Sequence, residues 1–310
     1  MTLPDNILSF LQSNTFSVVD AGARNGVIDF APLAQWIKAD AFEPDAEEAH
    51  RLEKTRNVYA SYHVHPFALA GAAGKRMLHL TRKRSFSSFL TFDEKEFLKY
   101  FGRMTDHAKW MDGFETERSL EIDCVTLDEL FHDTTIDYLK LDTQGTELEI
   151  LNGAAQLLKN KQISIVEVEV NMQPVYKGQP TFPVIDQFLC EAGFLLVDYR
   201  INQHAFSAAK SKATIENPRI ANGGDAVYVL NMELLTANEQ KKRALKAALL
   251  LAQKGYLSVS EYLLETFTAT NENETDKIFV ALNRKTGKER KKEFIRKWLP
   301  PTILGWLKSN

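Results

Sequence analysis

The stretch SVVDAGARNG, residues 17–26, places an apolar run, an acid and two glycines within ten positions. In an open parallel sheet, ligands bind beyond the carboxyl ends of the strands, and Asp20 is expected at such an end. Gly22 and Gly26 then leave room for a ligand chain against main-chain N–H groups, because a Cβ at either place would intrude. A dinucleotide site typically shows G-x-G-x-x-G, fitted to a pyrophosphate at the next helix N-terminus. Here the spacing is D-x-G-x-x-x-G. An acid followed by spaced glycines suits a cationic amino-acid tail better than a pyrophosphate, which the carboxylate would repel. The alternative for the stretch taken alone is an ordinary strand-to-loop turn.

The surrounding pattern decides for the sheet. Apolar runs at 16–22, 40–45, 65–71, 136–142, 163–170 and 194–200 alternate with helical patterns such as DAEEAHRLEKT, TELEILNGAAQLL and FPVIDQFLCEAG. Such alternation predicts a mostly parallel, doubly wound sheet of about seven strands covered by helices, closed by DAVYVL at 225–230. RMLHLT and LEIDCVTL, on either side of a charged aromatic segment, read as an insertion near the mouth of the site. From about Leu234 the chain becomes helical, with two packed helices followed by the polar break TATNENETDK. The expected organisation is a domain over 1–233 and a helical extension over 234–310.

Composition narrows the function classes. The 310 residues are 44% hydrophobic and 25% charged, and the formal net charge of −3 offers no basic excess for a nucleic-acid partner. Cys124 and Cys190 stand in unrelated segments without C-x-x-C spacing, so neither a disulfide framework nor a zinc site is indicated. The first residues lack a basic region followed by a long apolar run, and no stretch reaches a membrane-spanning length, so the expected location is cytoplasmic.

Four further carboxylates bear on the chemistry. Glu43 follows Asp20 at about the 20-residue interval at which a carboxylate grips a ribose diol, although a solvated strand-end acid reads the same way. Asp142 ends the strand in IDYLKLD and is expected to point into the same crevice as Asp20. Gly145 then permits a tight turn, and Thr143 or Thr146 can cap the helix that follows. In SIVEVEVN, Glu167 and Glu169 fall on one face of a strand buried on both sides, where an acid needs a partner or a function. Glu169, nearer the carboxyl end, is the better functional candidate. A divalent cation held by Asp142, Glu169 and Asn171 is an alternative to a base, whereas His63 and His65 read as structural.

Taken in order, VVDAGARNG, FEPD, ALAGAAGKRMLHLT, SFSSFL, VTLDEL, IDYLKLDTQGTELEILNGA and GGDAVYVL resemble the FkbM-type family of S-adenosylmethionine (SAM)-dependent methyltransferases over about residues 16–231. The resemblance implies a class I methyltransferase, Rossmann-like fold, SAM as methyl donor, and O-methylation of a hydroxyl on a sugar, glycan or related small metabolite. It further implies that Asp20, Gly22, Arg24 and Gly26 line the methionine and ribose part of SAM, that Glu43 holds the ribose hydroxyls, and that Asp142 stands near the methyl group. Asp142 and Glu169 are then the candidate catalytic bases. The family often shows D-V-E-G where this chain has Asp142, Thr143, Gln144 and Gly145, which keeps a non-catalytic binding domain in view. An NAD-dependent or nucleotide-sugar oxidoreductase is disfavoured by the missing glycine fingerprint.

Two basic segments bear on partners. Arg82, Lys83 and Arg84 can meet an anionic acceptor or form the solvated charges of an inserted hairpin. The basic run from Arg284 to Lys297, followed by apolar residues with Trp298 and Trp306, fits peripheral contact with an anionic membrane or cover for the helical extension.

Overall fold

The computed structural model describes residues 3–24, 26–27, 30–55, 58–104, 106–205 and 219–282. Among the described residues ten strands occur in chain order: β1 (Phe16–Ala21), β2 (Ile37–Phe42), β3 (Ser61–His65), β4 (Ala68–Leu69), β5 (Gly74–Thr81), β6 (Thr116–Val125), β7 (Tyr138–Leu141), β8 (Ile165–Asn171), β9 (Phe194–Ala205) and β10 (Arg219–Leu230). Seven form the main sheet in the order β3-β2-β1-β7-β8-β10-β9. The pairs from β3 to β8 are parallel, and β10 runs antiparallel to both β8 and β9. The order reverses between β1 and β7, which opens a crevice at their carboxyl ends. The antiparallel β10 inserted before the last strand gives the Rossmann-like arrangement of a class I methyltransferase rather than an all-parallel dinucleotide fold.

Alternation along each central strand sends successive side chains to opposite layers. Val18, Tyr138, Ile165 and Val227 face a layer made by helix Asp5–Ser13 and the C-terminal helices. Val19, Leu139, Val166 and Val168 face the other layer, with helices Glu147–Asn152, Ala155–Lys159 and Phe182–Glu191. The expected run at 65–71 is not one strand: His65 ends β3, and Ala68–Leu69 pairs with β6 in a separate three-stranded sheet. Pro66 lacks the N–H that would continue the ladder. The expected single helix after Thr146 breaks at Gly153, where a Cβ would stand 2.4 Å from the Ala70 carbonyl oxygen.

The helices beyond residue 234 share one core with β1, β2 and β7. Helix Ala237–Gln253 buries two cations. Arg243 donates to Ser164 Oγ at 3.0 and 2.9 Å, and Lys246 Nζ donates to Asp137 Oδ2 at 2.8 Å and to the Thr15 carbonyl at 2.7 Å. A third helix, Glu272–Leu282, begins within the stretch read as a polar break and runs beyond it. Its Thr275, Ile278 and Leu282 form a buried stripe too sparse to outweigh the polar residues between them. Among the described residues no helix is long and apolar enough to cross a membrane. The basic, tryptophan-containing tail lies outside the described residues.

Candidate functional site

A cavity of about 580 Å³ opens at the carboxyl ends of β1, β2, β7 and β8, within the range of about 300–1,000 Å³ usual for small-molecule sites. Gly22, Arg24, Glu43, Asp142 and Glu169 line it. Asp20 and Gly26 stand outside the lining. Asp20 is 1% exposed, behind the wall, with Oδ1 3.5 Å from Lys140 Nζ. Lys140 Nζ is also 3.3 Å from Asp142 Oδ2, so this cation joins the two acids. Burial opposes its charge, but both carboxylates outweigh that and raise its pKa.

The glycine turn serves the protein's own backbone. Gly22 has φ +82°, and a Cβ there would lie 2.0 Å from the carbonyl oxygen of Asp142. The N–H groups of Gly22 and Ala23 both donate to the Phe42 carbonyl, at 3.0 and 3.1 Å. What approaches Gly22 so closely is therefore the turn after β7, and these two N–H groups are already used. Gly26, at φ +107°, has nothing within 4 Å of a notional Cβ. Its requirement is conformational.

At the end of β2, Glu43 is 4% exposed and its Oε1 accepts from the Asp45 N–H at 2.9 Å. Arg24 reaches over both acids, with Nε 3.7 Å from Glu43 Oε2 and Nη2 2.6 Å from Asp45 Oδ2. Asp45 in turn caps helix Ala46–Glu53. Burial is the largest influence on Glu43 and pushes its carboxyl up to about 7, against the lowering effects of the Asp45 N–H and of Arg24.

The turn after β7 is organised by two side chains that carried no expected role. Glu147 folds back so that its carboxylate accepts from the Thr143 N–H at 2.8 Å and the Gly145 N–H at 3.0 Å. Neither Thr143 nor Thr146 caps the helix; Thr146 Oγ1 donates to Thr143 Oγ1 instead. Gln144, held at φ +58°, directs its amide nitrogen between two carboxylates, donating to Asp142 Oδ1 at 3.0 Å and to Glu169 Oε2 at 2.6 Å. Its amide oxygen accepts from the Tyr176 hydroxyl at 3.2 Å, and its carbonyl accepts from Ser88 Oγ at 2.7 Å. The departure of residue 144 from the family's acid is thus the link that joins Asp142 and Glu169.

Glu167 and Glu169 share a face of β8 but have opposite surroundings. Glu167 meets Lys254 and Arg200 at 3.0 Å each and accepts from the Tyr138 hydroxyl. Burial works against it, yet these partners hold its pKa below the ordinary carboxylate value. Burial drives Glu169 the other way, well above that value, and the charges of Asp142 and Glu147 add to the rise. Two acids on one strand whose environments separate their proton affinities are suited to different roles.

The insertion supplies the opposite wall, with Phe86, Phe89, Trp110 and Phe114. Its basic triplet is committed within the insertion. Arg82 pairs with Asp112 and with Glu115 at 2.7 Å, Arg84 pairs with Glu117 at 2.9 Å, and Lys83 Nζ sits 3.8 Å above the Phe86 ring. On β3, His65 Nε2 donates to Asp40 Oδ1 at 2.8 Å and the ring stacks on Phe42, a packing role. Among the described residues no cluster of three or more His, Cys, Asp or Glu can hold a metal ion.

The lining fits SAM by the chemistry of its donors. Glu43, Asp45, Asp142 and Glu169 are opposed there by two arginines, Arg24 and Arg84, both ion-paired, which suits a cofactor with a net positive charge. Phe42, Ala68 and Leu69 add apolar surface to the lining. A comparison with curated proteins finds no match. The model of the methyltransferase FkbM domain matches residues 20–196, a span that begins at the acid of the glycine turn and ends in β9. With more than half of the chain inside that match, the protein belongs to the FkbM methyltransferase family.

Proposed function

We propose that the protein is a SAM-dependent O-methyltransferase acting on a hydroxyl of a sugar, glycan or related metabolite. The observation that carries this reading is Glu169: a half-buried carboxylate of raised proton affinity, lining the cavity and joined through Gln144 to Asp142. SAM, when bound, supplies a methyl group on a cationic sulfur. Glu43 is the residue to hold the ribose hydroxyls, since a carboxylate accepts from both members of a vicinal diol. Displacement in line requires the acceptor oxygen to be aligned and its proton removed. A carboxylate whose affinity for a proton is raised toward the working pH is the better base for that step, which favours Glu169. Asp142, held in place by Lys140 and Gln144, aligns the acceptor.

Titration calorimetry with SAM, S-adenosylhomocysteine and NAD tests the reading. Both SAM species bind and NAD does not; NAD binding with no response to either SAM species would overturn it.

A further inference from the structure

β8, β9 and β10 meet the cavity at an irregularity that the reaction scheme does not use. The β9–β10 register shifts between Ala221 and Gly224, so Asn222 and Gly223 form a bulge at the cavity rim. Two glycines make it possible. A Cβ on Gly223 would lie 2.3 Å from Asn171 Oδ1, and one on Gly224 would lie 1.8 Å from the Arg200 carbonyl oxygen. Bulges re-aim side chains beside functional sites. Here Asn222 lines the cavity, is 5% exposed, and its side-chain oxygen has no hydrogen-bond partner among the described residues. A buried acceptor without a donor is costly, and such a group in a folded protein calls for an explanation. Asn171, at the end of β8, and Asn202, in the β9 stretch facing the bulge, line the same corner.

We infer that Asn222 is a specificity-determining residue for the methyl acceptor, in which its carboxamide receives a hydroxyl of an uncharged polyol beside the hydroxyl that is methylated. The inference rests on the proposed methyltransferase reading and extends it to the acceptor. Three carboxamides, each able to donate and to accept, match hydroxyl groups and offer no charge to a carboxylate or phosphate. Both arginines of the lining are ion-paired, so among the described residues the lining offers no uncommitted cation to an anionic group. Unlike Asp142 and Glu169, Asn222 selects the acceptor and moves no proton.

The test uses the full chain, with a tritium-labelled methyl group on SAM and three probes: methyl glycosides of neutral hexoses, their singly deoxygenated analogues, and the matching hexuronic acids. Neutral glycosides are methylated in preference to uronic acids. Asn222→Ala raises the acceptor KM by about tenfold, the scale of one lost hydrogen bond to a group left unpaired, with a smaller change in kcat. It leaves S-adenosylhomocysteine affinity unchanged and the unfolding midpoint equal to or above that of the wild type, because no hydrogen bond is lost. One deoxygenated analogue, poor for the wild type, is no poorer than its parent for the variant, while Asn222→Ser restores part of the discrimination. An unchanged acceptor KM, a preference for uronic acids, or equal losses of cofactor and acceptor affinity would each overturn the inference. So would the absence of transfer to any neutral glycoside while S-adenosylhomocysteine still binds, an outcome that leaves the cofactor reading standing. Failure of S-adenosylhomocysteine to bind would overturn both.

Discussion

Replacing Glu43 by Gln is expected to strengthen the free protein and weaken its hold on SAM, two changes of opposite sign from one side chain. Burial raises the Glu43 carboxyl from its ordinary 4.5 to about 7. An acid whose folded-state pKa is raised stabilises the fold in its protonated form, and that advantage is lost as pH rises from 4.5 through about 7. At pH 8 the ionised group costs about 3 kcal/mol relative to the unfolded chain, at about 1.4 kcal/mol per pH interval, whereas at pH 5 the cost is under about 1 kcal/mol. The glutamine of Glu43→Gln carries no such cost and still offers an amide oxygen to the Asp45 N–H, so the free variant should be more stable than the wild type at pH 8 and nearly equal at pH 5. Binding runs the other way, because a diol held by a carboxylate loses a charge-assisted bond worth about 1.5–3 kcal/mol, or about 10- to 150-fold in dissociation constant. Wild-type affinity for SAM should also climb with pH up to about 7, since the diol favours the ionised form, and the variant's should not. Urea unfolding at the two pH values and calorimetric titration of SAM from pH 5 to 8 measure all three effects. An unfolding midpoint that falls at both pH values, or an unchanged SAM dissociation constant, would refute the reasoning.

Three further outcomes are expected. The wild-type kcat should rise with pH through an inflection above the ordinary carboxylate range, and Glu169→Gln should lose about 10²–10⁴-fold in kcat with S-adenosylhomocysteine affinity retained; a variant as fast as the wild type would remove Glu169 as the base. Gln144→Glu puts a third carboxylate where an amide now separates Asp142 from Glu169, so turnover at neutral pH should fall by about tenfold or more and respond to added Mg²⁺, an oxygen-seeking cation; wild-type turnover in the presence of a chelator would show that the amide is not needed. Lys246→Met strands Asp137 in the core and should cost about 3–5 kcal/mol in urea unfolding, most of it recovered when Asp137→Asn is added; an unchanged midpoint for the single variant would mean that the pair does not anchor the helix.

The amino-acid sequence by itself determined the alternation of strands and helices, because strand and helix periods are written in neighbouring residues and each apolar run had to be buried on both faces. It also placed Glu43, Asp142 and Glu169 at strand ends, since position along a strand is a local property. Which of these acids faces the cavity was decided by register between distant segments. Asp20 is set opposite Lys140 across β1 and β7 and lies behind the wall, while Glu169, two residues beyond the ion-paired Glu167, reaches the lining. Gln144 looked like a lost acid, and only the folded turn shows its amide between two carboxylates. The glycine of residue 22 signalled a close approach, but whether by ligand or by chain could not be read locally, because the Asp142 carbonyl that fills the space comes from far along the sequence. Asn222 carried no sequence signal at all: a carboxamide in a strand bulge becomes notable only when its neighbours in space fail to supply a donor, and that is a property of the tertiary structure alone.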